Sequence, residues 1–513
     1  MKKLYLLGAT LLCTNLFLHA QVLDVNNVGA GIFSNGSLFF NGNASTFEVP
    51  RGSGKTTVFA SNLWIGGYSG GQLHVGAQTY AQAGDGGPAY TFGPVTDSAA
   101  YTPTQLLNTF GRVVKISKTQ IDDHRLRYAD AGYTPATPIT QWLGSGDTSK
   151  GVSPVLAPFH DSNGDGYYTP LQGDFPVING DAVLQAVYSD NRVTKETGNR
   201  RLNINIMVQA WAVNSATDSA LNNTLFLRYR LQNVSGRNYD SLFLAHWSDL
   251  DIGNYADDYV GSDSARSLFY GYNATNTDDP AQGGYGANPP AQAVMFLSHP
   301  MNRFIYYNND TSAIGNPNTY LAKYNYMRGV GLNGQPLPQR YMFGGDPVSG
   351  TGSNEVTLGN TAGDRRGLGT MAPLNLPAGA SVCVDFAYVY ARGSSNLNSI
   401  TQMRERADAI RNWYNSQNFN CTGLFTSVAE QQPTFEMKAF PNPFSNSLHL
   451  TLSQPAEAGS VAYLYDLSGR RVASFPLAAG ETQLELQAEV APGMYLLQLA
   501  QGGRTHSLRV VKQ

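Results

Sequence analysis

From residue 22 to about 427 the chain is a succession of short runs in which apolar and polar residues alternate, each closed by Gly, Asn, Asp or Ser. A period of two puts every second side chain on the same face of an extended strand, which restricts this body to antiparallel β-structure. TLFLRYRLQN (224–233) and DSLFLAHWSDLDIG (240–253) flank VSGRNY as the arms of a hairpin, and RLNINIMVQAWAV (201–213) and QAVMFLSH (292–299) continue the series. The 54 glycines serve the turns, while 29 tyrosines and 23 phenylalanines supply core volume. A formal net charge of -3, with only 14% of residues charged, gives no field that would steer the chain onto nucleic acid.

The expected fold is therefore all-β, mostly antiparallel β-sandwich, with one packed helix near 399–417. In NSITQMRERADAIRNWYNSQNF, Ser399 and Gln402 have capping-box spacing, and Ile400, Met403, Ala407, Ile410 and Tyr414 form one apolar stripe. Arg404, Glu405, Arg406 and Asp408 are expected on a solvated face. The polar stretch KETGNRR marks a break near 195–200, which leaves two lobes or a single large sandwich for residues 21–427. No repeat of 20 to 50 residues points to a solenoid or propeller.

Three glycine-rich segments imitate catalytic motifs. GSGKTT (52–57) resembles a phosphate loop, but the position of the first glycine is Val49, and Pro50 has no N–H to offer a phosphate. The residues after Lys55, TTVFASNLWIGG, read as a strand and not as a helix. GYSGG (67–71) has the spacing of a nucleophile elbow, yet Ser69 lies between two strand-like runs and belongs to a hairpin. GVGLNG (329–334) is followed by QPLPQ where a dinucleotide site needs a helix.

The amino terminus has Lys2 and Lys3, an apolar stretch over 4–18 and Ala20 before Gln21, which is the pattern of a secretory signal peptide over residues 1–20. Thr14, Asn15 and His19 interrupt it too early for a transmembrane anchor. Cys13 lies inside the apolar run after Leu12, which is not a lipoprotein arrangement. Beyond the leader, Cys383 in a strand and Cys421 after the helix permit one disulfide in an oxidising compartment, with two buried thiols as the alternative.

After a linker at 428–434, residues 435–513 read as a second, Ig-like small β-sandwich. SLHLTLS, VAYLYDL, QLELQ, MYLLQLA and HSLRVV alternate around turns at SGRR, APG and QGG. FPNPF (440–444), YDLSGRRV (465–472), APGMYLLQL (491–499) and LRVVK (508–512) occur in the order found in the C-terminal sorting domain (type A) of the Bacteroidetes type IX secretion system, which this segment resembles over its whole length. The resemblance implies export to the cell surface or the extracellular space through the type IX translocon. It also implies removal of this domain by a sortase-like peptidase and, commonly, attachment of the cargo to lipopolysaccharide. The body resembles, more loosely, large exported proteins that carry the same domain, in LWIGG, DSNGDGYYTPLQGDFPVINGD, HWSDLDIGNYADDYVGSD, GDPVSGTG and DRRGLGTMAPLNLPAG; no activity comes with that likeness.

Two acidic segments point to hard cations. In DSNGDGYY, Asp161, Asn163 and Asp165 occupy positions 1, 3 and 5 of an EF-hand-type loop, Gly166 supplies the turn and Tyr167 a carbonyl. Gln172 stands where a bidentate carboxylate belongs, so Asp174 or Asp181 would have to supply that oxygen. An Asx-rich turn is the alternative. In SDLDIGNYADDYVGSD, Asp249, Asp251, Asp257, Asp258 and Asp263 repel one another unless a cation, an arginine or water separates them. Calcium is one solution. The other is an aspartate pair of a glycoside hydrolase, with Trp247 and Tyr255 stacking on sugar rings. The histidines are dispersed without a zinc spacing, His246 fits a packed strand position, and Asp364, Arg365 and Arg366 fit a turn with local ion pairs or an anion site. The combined reading is a secreted, calcium-stabilised β protein with a structural or adhesive role and a glycan or surface partner; a polysaccharide hydrolase using the 249–263 aspartates is the alternative.

Overall fold

The computed structural model describes residues 20–82, 87–97, 99–193, 200–417, 419, 421, 424–425, 437–466, 470–501 and 504–513. The expected signal peptide, apart from Ala20, and the expected 428–434 linker lie outside these residues. The chain forms two compact units, 1–427 and 428–513.

The body is built on a ten-stranded antiparallel sheet. Its central path runs Asp258–Asp263, Leu268–Asn273, Ala291–Phe296, Ser381–Ala391, Thr224–Asn233, Ile204–Ala212, Ala182–Ser189 and Thr91–Phe92. A six-stranded sheet has Tyr239–Asp249 at its centre, between Ala60–Ser69 and Arg366–Met371. Along Ser381–Ala391, Val382, Val384, Phe386 and Tyr388 enter a core shared with Leu244, Trp247 and Trp64 of the smaller sheet. Ala387, Val389 and Ala391 enter a second core on the opposite face, beneath a helix. Both faces of the large sheet are thus covered, which is why its central strands are apolar almost throughout where a one-sided strand would alternate strictly.

That helix is Asn396–Ser416, and its buried side chains include the five expected stripe residues. Its cap differs from the expectation: Ser395 is the N-cap and accepts from Asn398 N at 3.0 Å, while Ser399 is buried within the first turns and donates to Pro289 O at 2.8 Å. The polar stretch NLNS adds a helical turn before the apolar stripe begins. The expected solvated face is also tethered, since Arg404 bonds Asp346 at 2.8 Å and Asp408 pairs with Arg266 at 2.9 Å. Further helices include Pro103–Phe110, Lys118–Arg127 and Tyr320–Arg328, the first two with complete capping boxes, Thr102 with Gln105 and Ser117 with Gln120.

The expected break near 195–200 lies, apart from Arg200, outside the described residues. The strands on either side of it, Ala182–Ser189 and Ile204–Ala212, are paired neighbours from Ala182↔Ala212 to Tyr188↔Ile206. Cys383 and Cys421 are disulfide-bonded with Cα atoms 5.1 Å apart. Beside the bond, Asp385 takes both arms of the Arg228 guanidinium at 2.8 and 2.7 Å and the Tyr414 hydroxyl at 2.6 Å, fastening the helix to the sheet.

The second unit is a small sandwich. One sheet joins Met437–Phe440, Ser447–Leu452 and Gln483–Gln487; the other joins Arg471–Pro476, Val461–Tyr465, Gly493–Gln501 and Arg504–Lys512. Leu450, Leu464, Leu497, Leu499 and Val510 fill the space between them. FPNPF docks on the last strand: Asn442 donates to Arg509 O at 2.9 Å and accepts from Val511 N at 2.8 Å.

Candidate functional site

The two acidic segments behave differently. In the first, Asp161 accepts from Gly164 N and Gly166 N, both at 2.7 Å, and Asp165 accepts from Tyr167 N at 2.8 Å. The Asn163 amide donates to Asp165 at 2.8 Å and to Gln172. Asp174 is buried and turned to the chain itself, accepting from Ser162 N at 2.8 Å and from Thr169 N and Oγ1 at 2.7 and 3.0 Å. Asp181 accepts from Asn214 N at 2.8 Å. The loop is thus closed by Asx-type hydrogen bonds on an exposed surface.

The second segment leaves the end of the central strand of the smaller sheet, and the sheet register builds its site. Asp249 stands opposite Arg366 on one side and Ala60 on the other. Its Oδ2 accepts from the Tyr80 hydroxyl at 2.5 Å, and its Oδ1 lies 3.7 Å from Arg366 Nε. Arg366 also donates to Tyr80 at 2.7 Å and to Asp364 at 2.9 Å. Two residues past the strand end, Asp251 turns back, so that Asp249, Asp251 and Asp364 each bring a carboxylate oxygen within 4.8 Å of the other two. Asp249 Oδ1 and Asp251 Oδ1 are buried and without a hydrogen-bond partner among the described residues.

The electrostatics follow from burial and the crowding of carboxylates. Burial pushes the Asp249 carboxyl up to about 6, with Arg366 opposing and Asp364 adding to the rise. Asp251 is raised well above the carboxylate range by burial first, then by Asp249 and Asp364, again against Arg366. Burial works against the Arg366 charge, but Asp249, Tyr80 and Asp364 hold the guanidinium above its ordinary value. One arginine beside three carboxylates leaves an excess of negative charge, which either protons or a cation must balance.

The other expected residues do not join this group. Asp258 is fully buried but accepts from Ile252 N at 2.8 Å, closing the 251–258 loop. Asp257 lies one residue before it and contributes to raising the Asp258 carboxyl, an effect that burial dominates. Asp263 sits at the far end of Asp258–Asp263, roughly 16 Å along an extended strand, and bonds Arg266 at 2.8 Å. Trp247 is buried, stacked on Trp64 and bonded through its indole N–H to Tyr307 at 2.6 Å, so it offers no face to a sugar. His246 is a packed strand residue, as its position suggests. Tyr80 and Arg366, which orient Asp249, carry no local signal that would join them to it; only long-range register does.

Asp251 also lines a cavity of about 590 Å³, together with Asn43, Glu48, Lys55, Thr56 and Tyr255. Gly253 has a φ of +73°, and a Cβ there would come within 2.2 Å of Asp278 Oδ2, so glycine is required at this bend. Its N–H donates to Thr56 O at 2.9 Å and ties the acidic loop to a neighbouring wall of the cavity. GSGKTT is part of that wall: Val49 N donates to Lys55 O at 3.0 Å, and the strand Ala60–Ser69 follows in place of a helix. Ser69 likewise ends a strand, at the Gly70–Gly71 hairpin turn, where both glycines have positive φ. Of the 249–263 aspartates, only Asp251 lines the cavity, since Asp249 is held by Tyr80 and Arg366; the other carboxylate in the lining is Glu48, outside that segment.

Residues 438–513 match the family described as the secretion system C-terminal sorting domain. The tail is therefore a type IX sorting domain, and it directs export across the outer membrane to the cell surface or extracellular space. No described helix is long and apolar enough to cross a membrane. No curated protein matches the chain. Among solved structures, a polysaccharide lyase aligns over 63% of this chain and 36% of its own length, at 10% identity and a TM-score of 0.20. A likeness that weak carries no argument about activity.

Proposed function

We propose that the exported body is a calcium-stabilised structural or adhesive component of the cell surface, released from its sorting domain by a sortase-like peptidase. The supporting observation is the group of buried Asp249 and Asp251 with partly exposed Asp364, in which two carboxylate oxygens are reached by no donor among the described residues and one arginine balances three charges. A hard divalent cation accepts several carboxylate oxygens at once, and an extracellular setting supplies calcium at millimolar levels. Bound there, it would lock the acidic loop onto the end of the central strand. Binding to the folded chain alone stabilises by RT ln(1 + [Ca]/Kd). With Kd of about 0.1 to 1 mM, 10 mM calcium contributes about 1.4 to 2.7 kcal/mol, a shift of roughly 2–3 °C for a unit of this size.

Melting the full chain in chelator and in 10 mM calcium tests this. The shift is expected to disappear in Asp364→Asn and to persist in Asp165→Ala, with magnesium much less effective. An equal melting temperature in chelator and calcium defeats the proposal. A shift removed by Asp165→Ala alone relocates the ion to the first loop.

A further inference from the structure

The cavity beside the acidic centre has a polar wall whose functional groups are unequally engaged. The Ser45 and Thr56 hydroxyls both donate to Val58 O, at 2.7 and 2.9 Å, and Lys55 Nζ donates to Gly283 O at 3.3 Å. Glu48 accepts from Gly54 N. By contrast, Asp251 is 9% exposed yet its carboxylate accepts no hydrogen bond from any described residue, and the Asn43 side-chain amide has no partner among them. Tyr255 adds a ring that is 58% exposed. An acceptor, an amide that both donates and accepts, and an accessible aromatic face therefore line one cavity of about 590 Å³, inside the range of small-ligand pockets.

We propose that this cavity is a saccharide-binding site for a neutral sugar, in which Asp251 accepts ring hydroxyls, Asn43 pairs with a neighbouring hydroxyl and Tyr255 stacks on the pyranose face. A ligand in the cavity must bring donors to the Asp251 oxygen that the cation leaves open, because a carboxylate stripped of water without them is costly. It is not anionic, because Asp251 and Glu48 line the cavity and Asp249 and Asp364 stand behind Asp251. It is neutral and not cationic because a calcium ion in the acidic centre would already offset that charge; in this respect the inference rests on the calcium reading. With Glu48 already engaged by Gly54 N, the cavity serves binding, which gives the adhesive role a contact surface.

An array of neutral, amino-sugar and uronic-acid oligosaccharides, probed with the full chain in calcium, tests the proposal. Titration calorimetry on the retained glycans then measures affinity. Neutral glycans are expected to bind, with Tyr255→Ala and Asn43→Ala each weakening binding by about tenfold or more and Tyr167→Ala, an exposed tyrosine outside the cavity, leaving it unchanged. Tyr255→Ala should keep the calcium-dependent melting shift, which shows the variant folded with its acidic centre intact. Retention of only uronic acids or only amino sugars, no retention at all, or full affinity in Tyr255→Ala would each overturn it. A calcium shift without glycan binding would defeat this inference alone. Glycan binding without a calcium shift would defeat the calcium reading and leave the site standing.

Discussion

His246 should make the body acid-sensitive. Its ring is fully buried, 4.5 Å from the Phe386 ring in a stacked arrangement, and its Nε2 lies 2.7 Å from the Tyr388 hydroxyl and 3.2 Å from Ser61 Oγ. Nδ1 has no partner. Protonation would place a charge in an apolar core and leave one N–H without an acceptor, and burial accordingly lowers the imidazole to about 3. In the unfolded chain the same ring titrates near 6.5. The unfolded state therefore binds the proton first as pH falls, and the neutral ring's contribution, complete above about pH 6.5, is lost progressively down to about pH 3. Between pH 7 and 4.5 that loss is about 2.5 kcal/mol. The raised aspartates near the acidic centre act with the opposite sign, so the comparison is with His246→Gln, which retains them and removes the titration. Denaturant unfolding followed by tryptophan fluorescence reports the body alone, since all five tryptophans lie before residue 428. The wild type should lose about 2.5 kcal/mol more than the variant over this interval; equal pH slopes would show that the buried ring is not what titrates.

Removing the disulfide with paired Cys383→Ser and Cys421→Ser changes should destabilise the body by about 4 kcal/mol in the chain-entropy account for a loop of this length, measured by denaturant unfolding; unchanged stability would mean that the Arg228–Asp385–Tyr414 network alone holds the helix end. A chain ending at Pro433 should fold but accumulate in the periplasm, and its appearance on the surface at normal levels in fractionated cells would contradict the sorting role of 438–513.

The fold class was legible because period-two alternation reports directly on strands, and the helix because its stripe repeats at helical spacing. What escaped was local or long-range. The short helices at 103–110 and 118–127 announce themselves only by TPTQ and SKTQ, two capping boxes without a long apolar stripe behind them. The polar composition of KETGNRR fits a loop and an interdomain linker equally well, and it gives no sign that the strands flanking it pair with each other. The extra first turn of the long helix was hidden for a similar reason, since Asn and Ser favour loops unless a cap such as Ser395 and a buried neighbour hold them.

The acidic site shows the same division. Asp249 and Asp251 stand out in the sequence as crowded carboxylates, but crowding does not say which of five aspartates converge. The strand decides: once Asp258–Asp263 extends, Asp263 is carried away to Arg266, whereas the register of Tyr239–Asp249 against Arg366–Met371 brings in an arginine and, through it, Asp364. The tyrosine on Asp249 is 169 residues distant in sequence. GSGKTT is instructive in the reverse sense. Its letters suggest a phosphate loop, but a phosphate loop needs a helix dipole and a run of free N–H groups behind it; here Gly54 N is taken by Glu48 and Lys55 by Gly283. With those groups engaged and a strand in place of the helix, the segment lacks the architecture of a phosphate loop, and its Gly54, Lys55 and Thr56 line the same cavity as Asp251.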